Sequence, residues 1–239
     1  MTINLPLQAP SAAGLTWAVT RNDEAKTDAE RGAILADPGF GNHFTDHMVD
    51  LCWSEKGGWH RPRVSPYGPI QLEPSAAVLH YAQEIFEGMK AYRHEDGSVW
   101  TFRPEANAER MVRSSRRLAL PELPPADFVQ AVDALVEAEQ RWVPDAAGEK
   151  SLYIRPFMIA TEKFLGVRPS QHVTFMVIAS PAGAYFSKGV KPINLWLSTD
   201  YSGFDPEVNS FGGDARARGI DLGAYPRARV WNFGANVTF

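Results

Sequence analysis

Several residue types that would narrow the function are scarce in this chain of 239 residues. It has one cysteine, Cys52, which excludes an internal disulfide bond and suits a reducing compartment such as the cytoplasm. It has neither an apolar run long enough to span a bilayer nor a basic N-terminal segment followed by an apolar one, so we expect no membrane span and no signal peptide. The net charge of -4 gives no reason to expect nucleic acid or an anionic membrane as a partner.

Lys191 is the last lysine of the chain, and the residues after it contain none. Residues 202–239 are rich in Gly, Ala, Arg and Asp, and they have no clear periodicity apart from 228–233. The rest of the sequence has the composition of an ordinary globular protein, since 44% of all residues are apolar and 22% are charged. The length allows one large domain or two small ones.

The hydrophobic pattern predicts an α+β domain with helices packed on a mostly antiparallel sheet. The helix predicted over 125–142 has an apolar stripe from Phe128 to Trp142, with Asp133, Glu137 and Glu139 off that stripe. The segment 180–186 has the composition of a loop. The other predicted elements are a helix at 25–35, an arginine-rich helix that ends near Leu118, and strands at 48–53, from 63, 151–161, 173–179 and 193–198.

The central stretch of the chain runs from His80 to Arg117. An apolar and aromatic segment leads there into a short strand and then into a helix that carries Arg110, Arg113, Arg116 and Arg117. A buried arginine cluster beside aromatic residues suits a small anionic ligand, because guanidinium binds phosphate or carboxylate with two parallel hydrogen bonds. The alternative is a surface helix with solvated arginines.

The motifs of this stretch closely resemble those of the branched-chain amino acid aminotransferases, which are fold-type IV pyridoxal-phosphate enzymes. The likeness extends from about residue 37 to about residue 201. It implies a small N-terminal α+β domain at 1–186 with an interdomain loop near 180–186, then a truncated and divergent start of a second domain at 187–239. The segments that carry it are Tyr81, Phe86-Glu87-Gly88-Met89-Lys90-Ala91, Phe102-Arg103-Pro104, Arg110-Met111, Phe44-Thr45-Asp46-His47-Met48 and Tyr153-Ile154-Arg155-Pro156.

The resemblance also implies a site. The cofactor would be pyridoxal 5'-phosphate in a cleft between two domains, and Arg110 matches the arginine that holds its phosphate. Arg155 matches the arginine that helps to bind the acidic co-substrate, glutamate or 2-oxoglutarate. The aromatic positions that match the family's substrate pocket are Phe40, Tyr81, Phe86, Tyr153 and Tyr185.

The sequence departs from the family after Tyr201, where the family continues into a glycine-rich turn with the lysine that forms a Schiff base with the cofactor. Residues 202–219 contain no lysine, and Lys90, Lys188 and Lys191 do not lie in a matching context. We therefore assign no catalytic residue, and we expect neither covalent cofactor binding nor turnover by the chain as written. The tail could reflect a shifted reading frame, a splice or recombination product, or true divergence.

Three functions remain open from the sequence. The first is amino-group exchange between leucine, isoleucine or valine and 2-oxoglutarate, by a homodimer as in the family. The second is a non-catalytic binding or dimerisation fragment, and the third is another fold-type IV activity such as D-amino acid transamination. His43, Asp46 and His47 could also suggest a metal site, but their spacing fits no strong ligand pattern, so we assign no metal.

Overall fold

The structure is a computed structural model, and it describes residues 15–183. Within that range it contains four α-helices and eight strands. The helices are α1 (Asp28–Ala36), α2 (Ala77–Tyr81), α3 (Pro104–Arg117) and α4 (Pro125–Ala138). The strands are β1 (Ala18–Val19), β2 (His47–Ser54), β3 (Gly58–Pro66), β4 (Glu84–Phe86), β5 (Met89–Arg93), β6 (Val99–Thr101), β7 (Ser151–Ala160) and β8 (His172–Ala182).

The strands described form one sheet in the order β1-β3-β2-β8-β7-β5-β6, and β4 also pairs with β7. All of these pairs are antiparallel except the short one between β1 and β3. The prediction of an α+β fold with a mostly antiparallel sheet is therefore confirmed. Strand β8 lies in the middle of the sheet, as its continuous apolar sequence predicts.

One face of the sheet, which we call the covered face, packs against α3 and α4. Phe128 of α4 is fully buried, and its ring centroid lies 5.8 Å from that of Phe175 on β8. Met111 of α3 is buried in the same core, with Ile85 and Met89 from the neighbouring strands. Apolar residues at helical spacing on α4 thus meet alternate residues of the strands, which buries both.

The opposite side of the sheet, which we call the open face, carries Phe86, Lys90, Tyr153, Arg155 and Phe157. All five side chains are exposed or half-buried. They share a face because Phe86 pairs with Phe157, Lys90 pairs with Tyr153, and alternate residues of a strand point the same way. The open face therefore brings residues from two distant parts of the sequence together.

Strands β4 and β5 run along β7 in one register but are interrupted at Glu87 and Gly88. Pro156 of β7 lies opposite this interruption. Its carbonyl oxygen accepts a hydrogen bond of 2.8 Å from the Glu87 N–H. Proline has no N–H to donate in return, so the ladder loses a bond at this point. The broken strand positions Glu87 and Gly88 for the contacts described below.

Three expectations from the sequence need correction. Helix α4 ends at Ala138 and a 3-10 turn follows at Gln140–Trp142, so the predicted helix at 125–142 is shorter. Ser180, Pro181 and Ala182 belong to β8 rather than to a loop, because they pair with the start of β7. The arginines of α3 are exposed, so the cluster is not buried.

The strand predicted at 193–198 lies outside the described residues. Among those that are described, no helix is both long and apolar enough to cross a membrane.

Candidate cofactor and substrate site

Arg155 lies on the open face, held by aromatic side chains. Its Nε and Nη2 atoms donate hydrogen bonds of 3.1 and 2.7 Å to the Tyr153 hydroxyl. Its guanidinium carbon lies 4.4 Å from the ring centroid of Phe86 and 5.4 Å from that of Tyr153. These partners are neutral, and Arg155 forms no ion pair within residues 15–183. A cation that is positioned but not neutralised can accept a carboxylate.

Phe40 extends the aromatic surface around Arg155. Its ring centroid lies 5.3 Å from that of Tyr153, with the two rings tilted by 59°. Phe40 and Phe86 remain 56% and 62% exposed, although large aromatic side chains are usually buried. The site therefore combines exposed apolar surface with the positive charge of Arg155.

Gly88 allows the Tyr153 side chain to cross the broken strand. A Cβ atom at position 88 would lie 2.7 Å from the Tyr153 hydroxyl oxygen, which is closer than non-bonded atoms approach. Only glycine therefore fits without displacing the hydroxyl group that holds Arg155. The interruption of the strand at Gly88 is therefore linked to the position of Arg155 through the Tyr153 hydroxyl.

Arg110 projects from α3 toward the same break. Its Nε donates to both Glu87 carboxylate oxygens at 2.8 and 3.1 Å, and its Nη2 donates to Oε2 at 2.6 Å. Asn107, one turn earlier, donates to the same Oε2 at 2.8 Å. The Glu87 side chain is 2% exposed, whereas that of Arg110 is 58% exposed. The hydrogen bonds to Glu87, with its negative charge, raise the pKa of Arg110 above its usual value.

Comparison with known proteins identifies close relatives. A branched-chain-amino-acid aminotransferase of Mycolicibacterium smegmatis is 52% identical over 218 residues, which is 87% of this chain and 59% of the relative. A probable branched-chain-amino-acid aminotransferase of Streptomyces coelicolor is 62% identical over 174 residues, 73% of this chain and 48% of the relative. The chain is a relative of the branched-chain aminotransferases. It spans about half the length of the curated relatives that it matches. No model of a known protein family matches the chain.

Solved structures of branched-chain aminotransferases are similar to the chain as well. One from Thermoproteus uzoniensis with norvaline is 21% identical at a TM-score of 0.45, covering 57% of this chain and 42% of that one. Another, from Escherichia coli, is 20% identical at a TM-score of 0.43, covering 57% of this chain and 41% of that one. The α+β class of the present chain rests on its own sheet and helices.

The structure brings together four of the seven residues that the resemblance to aminotransferases singles out. Phe40, Phe86, Tyr153 and Arg155 contact one another on the open face. Within the described part of the chain, Arg110 is connected to them through Glu87 and Gly88.

The other two residues do not join this cluster. Tyr81 lies on α2, and its hydroxyl donates a hydrogen bond to the Leu165 carbonyl oxygen. Tyr185 lies outside the described residues. The assignment of all seven to a binding site stays a prediction.

The sequence reasoning missed Glu87, Gly88, Asn107 and Lys90 as parts of this arrangement. Glu87 had a signal, because an acidic residue inside an apolar and aromatic segment must find a partner if it is buried. Asn107 precedes Arg110 by three positions, which places both on one side of α3. The face that Lys90 occupies depends on the register of β5, which the sequence does not specify.

Asp46 and His47, two of the three residues that could suggest a metal site, belong to a hydrogen-bond network in the fold. Asp46 accepts a hydrogen bond of 2.7 Å from the Trp142 indole, and the Nδ1 atom of His47 bonds to Glu139. Nε2 of His47 accepts from the Asn22 N–H at 3.0 Å. Burial raises the pKa of Glu139. The network joins the N-terminal segment to β2 and to the end of α4.

Proposed function

We propose that residues 15–183 supply the phosphate-binding and substrate-binding part of a branched-chain aminotransferase. The observation that carries this proposal is the environment of Arg155. The guanidinium is held by the hydroxyl of Tyr153 and the ring of Phe86, but no described carboxylate neutralises it. An aminotransferase of this class must accept aliphatic and acidic side chains in one pocket, and this combination suits both.

In this proposal the aromatic surface binds the substrate side chain. Phe40, Phe86 and Tyr153 offer apolar area to the side chain of leucine, isoleucine or valine. When glutamate or 2-oxoglutarate binds instead of a branched-chain amino acid, Arg155 pairs with the distal carboxylate of that acidic substrate. Because Arg155 lies to one side, against the rings, an aliphatic side chain can bind without burying an unpaired charge next to it.

The described residues fit the phosphate end of pyridoxal 5'-phosphate. One edge of the Arg110 guanidinium binds Glu87, and the rest of this half-exposed group has no hydrogen-bond partner within residues 15–183. A phosphate could accept hydrogen bonds from this outer edge. When bound, the cofactor supplies the electron sink for reaction at the α-carbon. No lysine of the chain matches the family's Schiff-base lysine, so we predict binding without covalent attachment and no turnover.

Binding measurements on the full chain test this proposal. Wild-type protein should bind pyridoxal 5'-phosphate more tightly than pyridoxal, and Arg110→Met should remove most of the difference. Arg155→Met should instead weaken 2-oxoglutarate binding by about tenfold, since a charge-assisted pair is lost, and should leave 4-methylvalerate binding nearly unchanged. Equal binding of pyridoxal and its phosphate would contradict the role of Arg110. A borohydride-reduced adduct mapped to one lysine would contradict the absence of covalent attachment.

Dimerisation is the second function that an observation favours, and we propose that the chain forms a homodimer. Tyr81, Leu165 and Val167 are 43%, 61% and 90% exposed, and the first two are joined by a hydrogen bond. Exposed apolar side chains grouped in this way mark interaction surfaces. Sedimentation equilibrium at micromolar concentration should show a dimer that Val167→Asp weakens, and a monomeric wild type would contradict the proposal.

The relatives favour branched-chain specificity over D-amino acid transamination, because each one compared above is named a branched-chain aminotransferase. We also propose a cytoplasmic location, since the single cysteine needs no oxidising compartment. Recovery of the chain in an extracellular fraction would contradict that location.

A further inference from the structure

A buried carboxylate on the broken strand is explained by none of the roles assigned above. Both oxygens of Glu87 are used, and its side chain is 2% exposed. Burial of a carboxylate is costly unless hydrogen bonds compensate for the lost water. Here every donor comes from one side of α3, from the side chains of Asn107 and Arg110. The donors converge on Glu87 from a single helix, so its position and that of the Arg110 guanidinium are fixed together.

The geometry of the pair determines which part of Arg110 remains free. Glu87 occupies the edge of the guanidinium formed by Nε and Nη2. The two N–H groups of Nη1 and the second N–H of Nη2 point away from that edge, since the guanidinium is planar with fixed donor directions. With one edge held, the side chain cannot rotate about its long axis without breaking charge-assisted hydrogen bonds.

We infer that Glu87 is a positioning residue, which holds Arg110 with its free edge toward an anionic group. This inference rests on the proposed function, in which that group is the cofactor phosphate, and it adds a residue that the resemblance does not assign. Glu87 does not touch the phosphate. It acts by reducing the number of orientations that the long arginine side chain must lose when the anion binds.

The negative charge of Glu87 opposes anion binding, whereas its positioning of Arg110 favours it. This opposition makes the inference testable. A negative charge next to Arg110 weakens the attraction of any anion. If charge alone mattered, removing Glu87 would tighten phosphate binding. If positioning dominates, a change that keeps the charge but moves the carboxylate should weaken it. Glu87→Asp is such a change, because aspartate is one methylene shorter.

A second pair on the same helix provides a matched control. Arg116 also binds a glutamate through Nε and Nη2, at 2.7 and 2.9 Å, but its partner Glu122 is 48% exposed and lies on the loop after α3. Glu122→Asp changes the same chemistry without touching the broken strand. The control separates a local effect at Arg110 from a general effect on the helix.

The experiment compares dissociation constants for pyridoxal 5'-phosphate in the full chain by calorimetry. Glu87→Asp should weaken binding about tenfold, and Glu122→Asp should change it less than twofold. Glu87→Gln should also weaken binding despite the lost negative charge. Unchanged or tighter binding in a folded Glu87→Asp protein overturns the inference. If Arg110→Met has no effect either, the proposed phosphate site fails together with it, whereas a large effect of Arg110→Met alone overturns only the role of Glu87.

A measurement on the wild type covers the case in which the Glu87 variants do not fold. The Nε–H of Arg110 should exchange slowly with water in nitrogen-15 spectra and should shift on addition of inorganic phosphate. The reference is Arg113 on the same helix, which forms no ion pair among the described residues. An Arg110 N–H that exchanges as fast as that of Arg113 would overturn the inference.

Discussion

The two faces of the sheet differ in how they treat large side chains. On the covered face, Phe128 and Phe175 are fully buried against each other. On the open face, Phe86 remains 62% exposed although it belongs to the same sheet. The covered face gains stability from packing, whereas the open face leaves apolar area and a positive charge accessible. Residues that bind ligands must remain accessible at some cost in stability. The exposure of large side chains is therefore what distinguishes the two faces.

The two arginines of the proposed site show the same contrast. Arg110 approaches Glu87, a carboxylate buried at the broken strand, while Arg155 on the open face has, among residues 15–183, a phenol and aromatic rings as partners but no carboxylate. One arginine is therefore partly neutralised and firmly held, and the other keeps its full charge. This difference suits a phosphate that stays bound and a substrate carboxylate that must leave.

The largest effect should come from a matched pair of phenylalanine substitutions. Phe128→Ala should lower the free energy of unfolding by about 3–5 kcal/mol, because it leaves a cavity in the covered face. Phe86→Ala should lower it by less than about 1 kcal/mol, because that ring is mostly exposed. Urea unfolding of the two variants measures both values. Equal losses would mean that the open face is packed as tightly as the covered one.

A smaller effect is expected at the glycine of the broken strand. Gly88→Ala should cost about 1–3 kcal/mol of stability, since the new methyl group meets the Tyr153 hydroxyl and must displace it. It should also weaken 2-oxoglutarate binding, because that hydroxyl holds Arg155. The control is Gly68→Ala, where no atom lies within 4 Å of the added methyl group. A Gly88→Ala protein that is as stable as the control and binds as well would refute the close contact.

Much of the covered face could be predicted from the sequence, because its determinants are local. The apolar stripe of α4 predicted that helix, and the run of arginines before Leu118 and Pro121 indicated α3 and its end. The predicted end of α4 was wrong. Glu139, which lies off the apolar stripe, is 2% exposed and bonds to His47. That partner is 92 residues away, so no local pattern indicates it.

The open face was harder to predict because it depends on long-range register. Phe40 contacts Tyr153 only after the strands have paired. The resemblance to aminotransferases, and not periodicity, predicted that the two residues belong to one site. The predicted end of β8 was wrong because the composition of 180–186, which includes Pro181, suggested a loop. Strand β2 no longer pairs with β8 beyond Val177, so the N–H that proline lacks has no partner to lose on that side.

The smallest predicted effect concerns a charge that the covered face has not neutralised. Asp133 of α4 is partly buried near Glu105 of α3, and burial first and then repulsion by Glu105 and Glu137 raise its pKa to about 6. A raised pKa means that the folded state binds the proton more tightly than the unfolded state. Asp133 therefore lowers stability progressively as the pH rises from about 4 to about 6, and the full penalty is present above that range.

Asp133→Asn should remove this penalty. At pH 7.5 the variant should be more stable than the wild type by about 1–2 kcal/mol, and the difference should shrink toward zero near pH 4. Glu105→Gln should recover a smaller part, because repulsion by Glu105 contributes less than burial. Urea unfolding at several pH values between 4 and 7.5 measures these differences. A stability gain that is the same at every pH would show that the contact between α3 and α4 already accommodates the Asp133 charge, so that the covered face tolerates an unpaired carboxylate.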